Sequence, residues 1–326
     1  MLRPRPPKPL GFAGLALIAG AVCGSAQPVR AATDQSPAAT VTSAAAPVSL
    51  GSEAKPDADP ELASYDSPAD ALTAILKRAE TDAGGSPPRV VAFGEYHELK
   101  GNSGIKSALK RFAEQLLTVI QPATSDLVLE TWVTAGGCGK EEKSVVKDVQ
   151  KTTKRPVTTE NELVTLIKQA KAVGVQPHIL ELSCDEYQGL LDKEGGVDYE
   201  KMLKLLSDLL AKKIAQVKVR RSAAGVQKIV AVYGGALHND LYPSADFRPY
   251  TFGPSTAIAF PGQYLEVDLY VPEFIDKDPG VIKEPWFAKY VQARRGGAGA
   301  KDGRSKTWVV RRGKGSFILL FPPTRK

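Results

Sequence analysis

Short apolar runs alternate with longer amphipathic stretches over residues 88–240. Four runs are short, strongly apolar and bounded by turn residues, which is typical of buried strands. They are RVVAF at 89–93, DLVLE at 126–130, PHILEL at 177–182 and KIVAVY at 228–233. Apolar residues recur at helical spacing over 103–120 and 198–219, and Thr159 with Glu162 forms a capping-box pattern before a helix that stops at Gly174. Strands that alternate with helices predict an α/β fold, with a mostly parallel, doubly wound sheet flanked by helices.

The pattern changes in the C-terminal part of the chain. Residues 264–271 (YLEVDLYV) alternate between apolar and polar side chains, which is typical of a strand. Residues 307–311 and 316–321 flank a turn at Gly313-Lys314-Gly315 and predict a β-hairpin. We expect these strands to extend the sheet at one edge. Everything from residue 61 to 326 is predicted to form a single α/β domain, because that length supports one substantial core.

The N-terminal region has the features of an export signal followed by a tether. Within residues 1–31, a basic start precedes an apolar stretch over 10–22, and small residues then allow cleavage after Ala26 or Ala31. The stretch is too short for a comfortable membrane span, so we expect no transmembrane domain. A lipid anchor at Cys23 is the alternative, which bulky Val22 disfavours. Residues 32–60, rich in Ala, Pro, Ser and Thr, predict a disordered linker. The expected location is periplasmic or secreted.

Composition and charge argue against several other classes of protein. Of the 326 residues, 43% are hydrophobic and 24% are charged, which is typical of a globular chain. The formal net charge is +7, but four basic residues and no acidic one lie in the first 31 positions. In the remainder, basic and acidic residues are interspersed, whereas a nucleic-acid-binding protein concentrates positive charge on one face. We therefore expect no nucleic-acid partner.

Two cysteines remain after the export segment, Cys138 and Cys184. In an oxidising compartment, a disulfide between them is favoured over free structural thiols or a catalytic thiolate. A thiolate nucleophile or metal ligand would need a nearby histidine and a lowered pKa.

Candidate chemistry gathers at the ends of the predicted strands. Glu95 and His97 follow Gly94 after the first strand, Glu130 ends the second, and His238 follows the fourth. Because ligands bind outside the carboxyl ends of strands in open α/β sheets, we expect these four side chains to converge. They are our candidate catalytic and metal-binding residues.

Two kinds of chemistry suit this set of side chains. Imidazole and carboxylate groups together bind Zn²⁺ or Mn²⁺ and activate a bound water. Without a metal, one histidine can act as a general base on water while a carboxylate orients it. The structural alternative is that Glu130 caps a helix N-terminus and His238 bonds a backbone carbonyl. We favour a site, because several such groups follow separate strands.

Three short motifs at these strand ends resemble those of a known superfamily. GEYHE at 94–98, LE at 129–130 and GALH at 235–238 are similar to the motifs of erythromycin esterases, ChaN-like haem-uptake lipoproteins and Tiki-type metal-dependent proteases. The resemblance covers residues 88–240 and implies that Glu95, His97, Glu130 and His238 are the functional set. It implies an exported hydrolase that acts on an ester, amide or peptide bond of a small-molecule or peptide substrate. The ChaN-like branch implies the alternative, a non-catalytic haem- or iron-binding uptake protein, and a scaffold domain without chemistry is the third reading.

Other polar residues receive structural interpretations. His178 lies inside an apolar strand and is expected at the core or the sheet margin. Tyr96 should face away from its two neighbours and pack in the core. Asp185 and Asp240 either orient a histidine or cap turns. The basic, glycine-rich stretch at 294–306 is interpreted as a solvated loop.

Overall fold

The structure is a computed structural model, which describes residues 55–97, 104–134, 138, 149, 158–194, 196–296 and 305–324. The predicted export signal, Cys23 and all but the end of the predicted linker lie outside these residues. Across the described part of the chain, every helix is too short or too polar to span a membrane.

Strands and helices follow one another along most of the described chain. The strands are β1 (Glu61–Tyr65), β2 (Val90–Glu95), β3 (Thr124–Thr134), β4 (Gln176–Leu182), β5 (Ile229–Gly235), β6 (Tyr264–Tyr270), β7 (Thr307–Gly313) and β8 (Ser316–Leu320). The α-helices are α1 (Pro68–Asp82), α2 (Ala108–Arg111), α3 (Leu117–Ile120), α4 (Thr158–Ala172), α5 (Cys184–Gly189), α6 (Tyr199–Ala223), α7 (Ala236–Asn239), α8 (Gly253–Ala259), α9 (Pro272–Ile275) and α10 (Pro285–Arg295). A π-helical turn, Phe112–Leu116, joins α2 to α3.

All eight strands form one mixed sheet in the order β1-β7-β8-β6-β2-β5-β3-β4. The strands pair in parallel except where β7 runs antiparallel to β1 and β8. The predicted α/β class, the mostly parallel sheet and the C-terminal hairpin are confirmed. The doubly wound connectivity stays a prediction.

The three C-terminal strands lie on the β2 side of the four strands predicted from the apolar runs. β6 pairs with β2, β8 pairs with β6, and β7 follows. The outermost strand on that side is β1, which sequence analysis missed because ELASY contains only Leu62 and Tyr65 as large apolar residues. β6 is therefore an internal strand, buried at six of its seven positions.

Successive residues of the central strands contribute to two different apolar clusters, as the two-residue period of a strand requires. One cluster contains Val91 and Phe93 together with residues of α1, the 108–120 segment and α4. The other contains Val90 and Ala92 together with the buried face of α6. α6 follows its N-cap Asp198, whose side chain accepts a hydrogen bond from the Lys201 N–H. The sheet is thus fixed by packing on both of its faces, which orients the ends of its strands.

Cys138 and Cys184 form a disulfide with a Cα–Cα distance of 5.1 Å, and the predicted pairing is confirmed. Cys184 is the first residue of α5, directly after β4. The bond therefore restrains the carboxyl-terminal end of the sheet.

Candidate functional site

The four candidate side chains come from neighbouring strands and are all buried. Glu95 ends β2, Glu130 lies in β3, and His238 lies in α7, directly after β5, and each is at most 3% exposed. His97, two residues after β2, is buried to the same extent. Since β5 lies between β2 and β3 in the sheet, three adjacent strands deliver these groups to one end of the molecule.

Two glycines in register make room for polar side chains above the sheet. Gly94 of β2 lies opposite Gly234 of β5. A Cβ atom on Gly234 would overlap the Glu130 carboxylate, and one on Gly94 would overlap the Asn239 amide. The register of β3 and β4 also shifts between Leu129 and Trp132, so Glu130 lies at an irregularity of the ladder. The glycines are therefore required for close approach.

Glu95 and His97 form a buried carboxylate–imidazole pair. The His97 Nδ1 atom is 2.7 Å from Glu95 Oε1, and the Tyr233 hydroxyl donates to Glu95 Oε2 at 2.6 Å. When Glu95 is ionised, Nδ1 carries the proton and Nε2 is an acceptor. Nε2 stands 2.7 Å from the point where a Cβ on Gly235 would lie, so the acceptor atom is aimed toward the end of β5. This is the arrangement of a general base held in one tautomer.

Glu130 and His238 face each other through two acceptor atoms. The Gly235 N–H donates to Glu130 Oε2 at 2.6 Å. The His238 Nδ1 atom is 2.7 Å from the Tyr250 carbonyl oxygen, which only accepts, so Nδ1 carries a proton. In the neutral imidazole, Nε2 is then an acceptor, and it lies 3.6 Å from Glu130 Oε1. Among the described residues Glu130 Oε1 is buried without a hydrogen-bond donor.

Both contacts of the structural alternative exist, and each uses only one polar atom of the side chain. Glu130 accepts from the residue that precedes α7, and His238 bonds a backbone carbonyl. The remaining oxygen and nitrogen face each other at a distance too long for a hydrogen bond. Burial of an unpaired carboxylate oxygen is costly, so this gap is suited to a donor or a positive charge.

The described residues contain no group of three or more His, Cys, Asp or Glu side chains positioned to hold a metal ion. Residues 98–103, directly after His97, and 135–137, directly after β3, lie outside them. The Zn²⁺ or Mn²⁺ site and the haem alternative both stay predictions.

The other residues singled out in the sequence have structural contacts. The Tyr96 hydroxyl donates to Asp278 at 2.6 Å within a third apolar cluster. His178 bonds Asp126 at 2.7 Å. Asp185 is an exposed first-turn acid of α5. Asp240 pairs with Arg312 at 2.9 Å. The stretch at 294–306 lies largely outside the described residues.

A buried group of charged side chains, which the sequence patterns did not predict, lies beside this site. Glu266 and Asp268 of β6 are at most 2% exposed, and Arg312 of β7 pairs directly with Glu266 and Asp240 and lies 4.0 Å from Asp268. Burial raises the pKa of Asp268 to about 7 and also raises the pKa of Glu266; nearby Asp240 raises both further, and the Arg312 guanidinium offsets only part of the shift. The sequence signal for this group was Arg312, a charged residue in a largely apolar hairpin.

Comparison with known proteins adds no family to this description. No protein-family model, curated protein or solved structure matches the chain.

Proposed function

We propose that the chain is an exported hydrolase whose centre activates water for attack on an ester, amide or peptide bond. The proposal depends on one observation, the facing of Glu130 Oε1 and His238 Nε2 at 3.6 Å, both of which are acceptors when the imidazole is neutral. Two buried acceptors facing each other favour a water molecule or a cation beside them. The strand-end motifs at 94–98, 129–130 and 235–238 support the same class of activity.

Each residue has a role that follows from its contacts. Glu130 Oε1 accepts one hydrogen of the water and orients it beside His238 Nε2, which leaves the second hydrogen for His97. His97 accepts the proton that the water loses as it attacks, because its Nε2 is an acceptor while Glu95 holds Nδ1. Glu95 then stabilises the imidazolium, and Tyr233 fixes the carboxylate by donating to its other oxygen. The proton on His97 is returned to the leaving group as the bond breaks.

The donor set is also chemically suited to a divalent metal. Neutral imidazole nitrogen and carboxylate oxygen are the ligands that Zn²⁺ and Mn²⁺ take in proteins, and Glu130 Oε1 is buried without a donor among the described side chains. Glu95, His97, Glu130 and His238 remain the candidate ligands. When bound, such a metal would lower the pKa of the water.

A panel of chromogenic esters, anilide amides and fluorogenic peptides tests the proposal with the purified full chain. Glu130→Gln and His97→Ala should each lower turnover by about 10²- to 10⁴-fold, the usual contribution of an acid–base group. His178→Ala is the matched control, because His178 also bonds a carboxylate on the same sheet, and it should retain turnover.

Metal content separates the two versions of the mechanism. In the metal-dependent version, the protein carries about one Zn²⁺ or Mn²⁺ per chain, chelation stops turnover, and His97→Ala loses the metal while folded. Full activity in metal-free protein would overturn that version and retain the general-base one. Unchanged turnover in Glu130→Gln would overturn both. So would an absence of hydrolysis across the panel together with a Soret shift on haemin titration.

A further inference from the structure

The turn that carries His238 rests against buried charged side chains of β6 and β7. The Asn239 side-chain nitrogen donates to Asp268 Oδ1 at 3.2 Å and to the Ala92 carbonyl at 3.3 Å. The Asn239 carbonyl accepts from the Tyr264 hydroxyl at 2.6 Å. Asn239 is therefore held from both its side chain and its main chain, directly next to His238.

The residues after Asn239 are held by the same strands. The Leu241 N–H donates to Glu266 Oε2 at 2.9 Å. Asp240 pairs with Arg312 at 2.9 Å and accepts from the Tyr242 N–H at 3.0 Å. Residues 239–242 thus take their position from the side chains of β6 and β7.

The opposite side of the turn is held by residues 250–252. The His238 carbonyl accepts from the Thr251 hydroxyl at 2.9 Å and from the Phe252 N–H at 2.8 Å. The Tyr250 carbonyl holds the imidazole Nδ1. His238 therefore lies in a turn that is anchored to β6 through Asn239 and to residues 250–252 through its own carbonyl and imidazole.

Asp268 is the most distant of the three carboxylates around Arg312. Arg312 is within direct ion-pair contact of Glu266 and Asp240, whereas Asp268 lies at 4.0 Å. A further buried carboxylate carries a desolvation cost that this guanidinium offsets only in part. Asp268 accepts a hydrogen bond from the Asn239 side chain, and its carboxyl group also bonds that of Glu266.

We propose that Asp268 is a positioning residue for His238 and acts through Asn239. Its carboxyl oxygen holds the Asn239 amide above Gly94, and this fixes the turn that aims the imidazole at Glu130. The inference rests on the proposed function only in taking His238 as a site residue.

Nitrogen NMR of the full chain labelled with ¹⁵N-histidine tests this role. The chain has three histidines, so each imidazole can be assigned and its tautomer read directly. Asp268→Leu removes the carboxyl acceptor and keeps a similar side-chain volume. Asn239→Ser replaces the amide with a shorter hydroxyl side chain and leaves β6 unchanged. Both should mix the His238 tautomers and lower kcat about 10- to 100-fold, the usual effect of losing a group that orients a functional histidine, with KM nearly unchanged.

Asp268→Asn keeps an acceptor oxygen and should preserve the His238 signature. Asp126→Asn is the matched control on the same sheet and should shift only the His178 signals. Folded Asp268→Leu or Asn239→Ser protein with wild-type His238 signals and turnover would overturn the proposal. A shifted His238 signature in a protein that hydrolyses nothing would support the positioning role and count against the hydrolase.

Discussion

Two carboxylate–imidazole pairs stand on the same sheet with the same separation and different surroundings. Glu95 and His97 are 2.7 Å apart, and so are Asp126 and His178. Asp126 also receives two hydrogen bonds from Arg221, at 2.7 and 2.8 Å. Burial alone would raise the pKa of Asp126, but the hydrogen bonds from His178 and Arg221 outweigh burial and hold its pKa well below the usual range.

The same contrast appears within β3, where Asp126 and Glu130 differ in charge compensation and in their position along the strand. Asp126 is near the start of β3 and is paired with a guanidinium, so its site is complete. Glu130 is in the same strand, toward its carboxyl end, where one oxygen is buried without a donor among the described residues. A buried carboxylate with all its partners fits a structural role, whereas the oxygen of Glu130 that lacks one is where the proposed function places a water or a cation.

The largest effect on stability is expected from removal of the disulfide, which should loosen one end of the sheet and not the other. Because Cys184 follows the carboxyl end of β4, replacing both cysteines with alanine should loosen that end. We expect the free energy of unfolding to fall by about 4 kcal/mol in the chain-entropy model for a 46-residue separation. Urea unfolding measures the loss, and hydrogen exchange should accelerate in α5 and not at the start of β3. An unchanged denaturation midpoint would contradict this prediction.

A smaller effect of opposite sign should distinguish the two carboxylates of β3. Asp126→Asn weakens a charged hydrogen-bond network and should lower the free energy of unfolding by about 2 kcal/mol. Glu130→Gln replaces a carboxyl group whose Oε1 lacks a donor among the described residues, and it should leave stability unchanged or raise it by about 1 kcal/mol, as is common at functional sites. Thermal and urea unfolding of both variants beside the wild type measures the two signs. Equal destabilisation by both substitutions would mean that Glu130 is as fully compensated as Asp126.

The pH dependence of stability sharpens the comparison further. The pKa of Asp268 is raised to about 7 from a usual 3.8, so between these values the folded chain keeps a proton that the unfolded chain releases. The free energy of unfolding should therefore fall as pH rises from 4 to 7, by at most about 1.4 kcal/mol per pH unit for one proton. Asp126 has a lowered pKa and acts in the other direction, so its contribution is lost as the pH falls below 4.

Two variants test which residue causes each part of the pH dependence of stability. Asp268→Asn should flatten the decline between pH 4 and 7, and Asp126→Asn should remove part of the loss in acid. Urea titrations at a series of pH values provide the measurement. A decline that persists unchanged in Asp268→Asn would assign the proton to another group.

The sequence was sufficient to predict the strands that surround the site. Their apolar runs and terminal glycines predict where β2 and β5 end, and the positions of His97 and His238 follow from that. The backbone bond that orients His238 comes from Tyr250, twelve residues away, and no local pattern encodes it.

Pairing between distant strands explains what the sequence did not predict. The alternation in β6 is equally typical of a strand with one solvated face, since Glu266 and Asp268 occupy every second position. Their burial depends on β8 lying beside β6 and on Arg312 arriving from β7. Both are tertiary contacts between residues distant in sequence, and so is the contact between Asp268 and Asn239.

The position of Arg312 has a consequence for the order of events during synthesis. A ribosome releases the acidic side chains of β6 well before the guanidinium that accompanies them, 46 residues later in the chain. Until then, inserting β6 between its neighbours would bury two acidic side chains without the guanidinium that offsets part of their desolvation cost. We therefore expect a nascent chain halted before residue 307 to remain protease-sensitive, and the sheet to close only after translation has passed its final hairpin.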